Sequence, residues 1–134
     1  MKRIFFFTLL LIAFSASANE TALESYIHAH QQMLKVQVVQ LHSSISLLTS
    51  ASLTDKDTFE RIGQASFAAI DQTLKQAGFS VKTYYEFKAN NEDAIRQWLS
   101  NHSVQAILID SLQAEHDQLM KEYDQVIQAT TDAN

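Results

Sequence analysis

Apolar residues in this chain recur at alternating spacings of three and four, the period that lines one face of a helix. Leu23, Ile27, Leu34, Val38, Leu41, Ile45 and Leu48 form the first such stripe, with His30 filling its gap. Thr21 followed by Glu24 has the form of a capping box, so the spacing predicts a helix over 22–49. Ser50 to Leu53 reads as a loop. Thr54 with Asp57 opens a second helix, whose face carries Phe59, Ile62, Phe67, Ile70 and Leu74 and which Gly78 stops. Gly63 lies inside that pattern at a cost of about 1 kcal/mol against alanine, which predicts a close neighbour or a bend.

The next stretch is broken. Ser80 can cap a short helix through Tyr84, Tyr85 and Phe87. Asn90-Asn91 ends it and starts another with Ile95, Trp98 and Leu99. Ser103 then caps a last long helix with Val104, Leu108, Leu112, His116, Leu119, Tyr123 and Val126 or Ile127 on one stripe, and 130–134 reads as a fraying tail. Strand signals are nearly absent, the chain has no proline and only two glycines, and no repeat or low-complexity linker interrupts it. The expected fold is all-α, an antiparallel four-helix-type bundle of three long helices plus a broken helix pair.

Ahead of the first stripe, Lys2-Arg3, an apolar run from Ile4 to Phe14 and the small residues Ser15-Ala16-Ser17-Ala18 follow in the order of an export signal. A membrane span needs roughly 20 apolar residues, and this run meets Ser15 after eleven. The expectation is a signal peptide over 1–18, cleaved after Ala18, and a single helical domain over 19–134 in the periplasm or outside a bacterial cell. Stable membrane insertion is not expected after cleavage.

Removing Lys2 and Arg3 reduces ten basic residues to eight, against fifteen acidic ones, a formal charge of −7. That balance disfavours nucleic acid and anionic membrane surfaces and suits a cationic partner. Without cysteine, stability must come from packing rather than disulfides.

Enzyme motifs are missing: no HExxH, Gly-rich phosphate loop, GxSxG or cysteine nucleophile occurs. The carboxylates Asp55, Asp57 and Glu60 sit at a helix start, where they complement the dipole. With only Arg61 and Arg96 in the mature chain, the arginine-rich pocket of secreted helical chorismate mutases is not available either. No enzymatic activity is expected.

Two constellations remain. His30 and Met33 lie one turn apart on the first helix, His116 and Met120 one turn apart on the last. If those helices are antiparallel neighbours, residue 33 falls level with roughly residue 118 and the pairs face each other. Imidazole and thioether suit copper or haem iron. The layout resembles that of the periplasmic b-type cytochromes, a resemblance that covers the bundle arrangement and two residue types, without an alignable motif. It implies a haem held by one Met and one His of the terminal helices. The alternative is packing: methionine fills gaps in cores, and a histidine on an apolar stripe is commonly a hydrogen-bonded core residue. His28, His42 and His102 are expected to point elsewhere.

The second constellation is aromatic. Phe79, Tyr84, Tyr85, Phe87 and Trp98 crowd onto short helices, either as interface anchors or as the lid on one end of the core. Read together, these features predict a binding module that acts on another protein, in the manner of a chaperone-like or inhibitor/immunity-type factor, through Tyr84, Tyr85, Phe87 and Trp98. A copper or haem carrier using His30, Met33, His116 and Met120 is one alternative. A self-associating envelope protein, dimerising through a stripe with Tyr26, Met33 and Leu47, is the other.

Overall fold

A computed structural model describes residues 19–50 and 56–132, all in helices and short connections. The expected export signal over 1–18 and the 51–55 connection lie outside the described residues. The helices are α1 (Glu20–Ser50), α2 (Lys56–Gln76), α3 (Val81–Asn90), α4 (Glu92–Asn101) and α5 (Ser103–Asp132). The all-α fold, three long helices with a broken pair between the second and third, is what the period of the sequence predicts.

Local chemistry sets the boundaries. The cap of α1 is Asn19, whose Oδ1 accepts from the Ala22 amide at 2.8 Å, one step ahead of the expected Thr21 box. At the end of α2, Gly78 takes φ +87° and the Phe79 amide donates back to the Leu74 carbonyl at 2.9 Å. That six-to-one bond is a Schellman stop, with a left-handed residue that glycine adopts without strain. Ser80 and Thr83 form a reciprocal capping box for α3: the Ser80 hydroxyl accepts from the Thr83 amide, and the Thr83 hydroxyl accepts from the Ser80 amide. Asn91 breaks α3 from α4 and donates its side-chain amide to the Phe87 carbonyl at 2.8 Å.

Packing then sets the order of the rods. Leu74 lies in the core with Ala29, Met33 and Leu34, while Ser44 and Thr58 line one cavity at the other end, so α1 and α2 form an antiparallel hairpin. The ring of Phe87 stacks on Tyr26 with centroids 5.2 Å apart, which keeps α3 at the N-terminal end of α1. Ten-residue helices rise only about 15 Å, so α3 and α4 together form a base under the bundle rather than a fourth full rod. α5 therefore starts beside the start of α1. Its Ile109 and Leu112 join the core built on residues 23–34, and farther along His116, Met120 and Tyr123 flank Gln37, Gln40 and Ser44 of α1. The first and last helices thus run in the same direction, unlike the antiparallel neighbours assumed for the His/Met pairs.

The main core is Leu23, Tyr26, Ile27, Ala29, Met33, Leu34, Leu74, Tyr84, Trp98 and Ile109. Burying one large aliphatic side chain of this kind contributes roughly 1.5–3 kcal/mol. The α5 stripe departs from expectation in its first turns. Val104 is 74 % exposed and Leu108 only partly covered, and the covered seam begins with Ile109 and Leu112 and continues through His116, Leu119 and Tyr123.

Candidate functional site

Tyr84 of α3 is 1 % exposed and inserts between α1 side chains. Its ring stacks on Tyr26 at 5.1 Å and meets Phe79 edge-on at 6.3 Å. Its hydroxyl lies 2.5 Å from Nδ1 of His30 and 3.5 Å from the hydroxyl of Tyr26. With the Tyr26 O–H donating to Tyr84, the arrangement that pairs both hydroxyls has Tyr84 donating to an unprotonated Nδ1 of His30. Burial, reinforced by Lys88, lowers the His30 pKa to about 4 and keeps the ring neutral. Burial likewise raises both phenols above the usual tyrosine range. His30, which the sequence reading placed in the gap of the α1 stripe, is the polar end of this chain. Tyr26 was the missed member: it precedes His30 by one turn, and that spacing was the available signal.

The aromatic arm is consequently internal. Tyr84 and Trp98 are buried and Phe87 is half-buried against the core, so three of the four residues expected at a partner surface hold the base to α1. Only Tyr85 is open, at 52 %. Short helices carry too little surface to bury a core of their own, and their largest rings are what fasten them. Trp98 stacks on His102 at 3.6 Å, nearly parallel, and the His102 ring nitrogen bonds to the Trp98 carbonyl at 2.7 Å. The Trp98 indole N–H is buried without a partner, a cost of about 1–3 kcal/mol.

The two His/Met pairs do not meet. His30 is bound to Tyr84 and Met33 is a core residue. His116 and Met120 line a groove of about 260 Å³ with Gln37, Gln40 and Ser44 of α1 and Ile62, Gly63 and Ile70 of α2. Gln37 is seven residues beyond His30, about 10 Å along the helix. The separation follows from the sense of α5, which carries residue 116 away from the end of α1 that holds His30. His116 Nδ1 instead contacts Asp117 at 3.2 Å. Among the described residues no group of three or more His, Asp or Glu side chains could hold a metal ion, and no helix is long and apolar enough to cross a membrane. Tyr26 and Met33, expected on a dimer stripe, are in the core, and Leu47 is about half exposed.

The open surface lies on α5. Val104 and Ile107, 74 and 68 % exposed, and the partly exposed Leu108 occupy successive positions of one helical face. Three- and four-residue steps from Leu108 through Ser111 lead to Glu115 and Glu122 on the same side. Asp110, Asp117 and Asp124 are exposed on the other flank of α5, and Lys121 is the one lysine or arginine of that helix. Glu115 lies 3.5 Å from His42 of α1, and Glu122 accepts from Gln118. A comparison with protein-family models, with curated proteins and with solved structures finds no match to this chain.

Proposed function

We propose that this protein acts by binding another protein, and that the outer face of α5 receives a basic amphipathic segment of that partner. The observation that carries the reading is the run of three uncovered aliphatic side chains, Val104, Ile107 and Leu108, at the head of an acidic helix face. Single exposed aliphatics are ordinary, whereas a contiguous group rimmed by charge is the usual form of a docking site. Covering these side chains supplies the apolar contribution. Lysines or arginines of the partner placed over Glu122 and Glu115 would steer the encounter and fix its register. An exported, acidic, disulfide-free bundle without catalytic motifs suits this role, in the manner of a chaperone-like or inhibitory factor.

The test uses two synthetic amphipathic helices, one of leucine and lysine and one of leucine and glutamate, titrated calorimetrically into the chain from Asn19. The lysine peptide should bind, more weakly at high salt, and the paired change Val104→Ser with Ile107→Ser should cost about tenfold in Kd, or 1.4 kcal/mol. Equal affinity for both peptides, or a double variant that binds as well as the parent, removes the proposal. A dimer that the double variant converts to monomer, with no peptide binding, would establish the self-associating envelope protein instead.

A further inference from the structure

We propose that the α3–α4 base is an acid-released latch: His30 holds it shut by accepting the Tyr84 hydroxyl proton, and protonation of His30 lets it open and bares the aromatic cluster. α3 is fastened to α1 through few groups. Tyr84 is its one buried side chain, and among the described residues the hydrogen bonds from α3 into α1 run from Tyr26 through Tyr84 to His30. The remaining attachment is apolar packing, with Phe87 and Tyr84 stacked on Tyr26 and Val81 against the core.

The chain of bonds has one satisfactory direction. With neutral His30, Tyr26 donates to Tyr84 and Tyr84 donates to Nδ1. A proton added at Nδ1 converts that acceptor to a donor. Tyr84 then accepts from Nδ1 and either turns its own proton toward Tyr26, which is 2 % exposed and has no second hydrogen bond among the described residues, or keeps accepting from Tyr26 and leaves its own proton unpaired. Every arrangement of the closed state therefore leaves a buried hydroxyl unpaired beside a half-buried cation. The groups facing the ring give no relief. Tyr26 stacks on it from α1 and Tyr84 from α3, Lys88 of α3 adds like charge, and no carboxylate from any described helix bonds to it. The second ring nitrogen is not among the buried unpartnered atoms, so it opens to solvent. Once α3 lifts, the imidazole returns to water and titrates normally.

Closed His30 takes a proton near pH 4 and released His30 near pH 6.5, so the opening equilibrium of α3 rises on the order of a hundredfold between pH 7 and pH 4 by linkage. Hydrogen exchange followed by mass spectrometry on the whole protein, corrected for the intrinsic pH dependence of exchange, reads this directly. Peptides from 81–90 should lose protection about a hundredfold, and at both pH values they should exchange well ahead of those from the middle of α1, which open only with the whole fold. His30→Phe retains the stacking and cannot titrate, so its α3 protection should not change with pH. His30→Gln should behave likewise and serves if the phenylalanine variant fails to fold. Unchanged α3 protection at pH 4, α1 and α3 exchanging together at one rate, or an acid step that survives in a folded His30 variant would each overturn the latch.

Discussion

Tyr84 Oη and His30 Nδ1 lie 2.5 Å apart across the boundary between α3 and α1, fifty-four residues apart in the chain. This contact joins the base of the bundle to its longest helix at the level of a single proton. Tyr84→Phe deletes that link and leaves the buried Tyr26 hydroxyl without its acceptor. The expected loss is about 1–3 kcal/mol, read as a lower denaturant midpoint at unchanged slope. Tyr26→Phe should cost less, because it leaves the shorter bond in place.

Acid should weaken the whole fold, not only the base. His30 titrates near 4 when folded and near 6.5 when unfolded, so the unfolded chain binds the proton more readily. Stability is then full above about pH 6.5, declines as pH falls, and levels off below pH 4. Because the ring is partly exposed, the loss is on the order of 2 kcal/mol after allowance for solvent. Urea melts at steps of pH would show it, and His30→Phe should flatten the curve.

At alkaline pH the sign reverses. Burial raises the Tyr26 and Tyr84 phenols, so their contribution is complete below pH 10 and disappears as pH rises beyond it. Of the four tyrosines in the chain, these two should ionise only as the structure breaks, giving a late, cooperative step in phenolate absorbance.

Glycine is used in two opposite ways. Nothing lies within 4 Å of a Cβ added at Gly63, so Gly63→Ala should raise stability by about 0.5–1 kcal/mol through helix propensity alone. Gly78 sits at φ +87°, and Gly78→Ala should destabilise by about 1 kcal/mol or more. Thermal melts of the two variants should shift in opposite directions.

The helices and most of their ends were legible because capping residues and apolar period are local properties. Ser80, Asn91 and Gly78 each terminate or start an element where their chemistry says they should. The role of His30 was only half visible: its place in an apolar stripe showed that it would face inward, and its partner lay on another helix. The close neighbour that the sequence allows at Gly63 is not there, since nothing lies within 4 Å of an added Cβ. The exposure of Val104 and Leu108 could not be read either, because a three-four spacing identifies a face without saying where along the helix its neighbour begins. The sense of α5 depends on whether two ten-residue helices extend or fold back, which the break at Asn91 permits either way.

Because α5 runs beside α1 in the same direction, the longest helix waits for a segment made more than fifty residues after it. The chain between them, α2 through α4, must already have turned back on itself before residues 109–123 can settle against 34–44. A ribosome that has released only the first two helices has produced a hairpin with one side of α1 still wet. The core therefore closes only once α5 is present, and a truncation inside α5 should leave an aggregation-prone hairpin rather than a smaller domain.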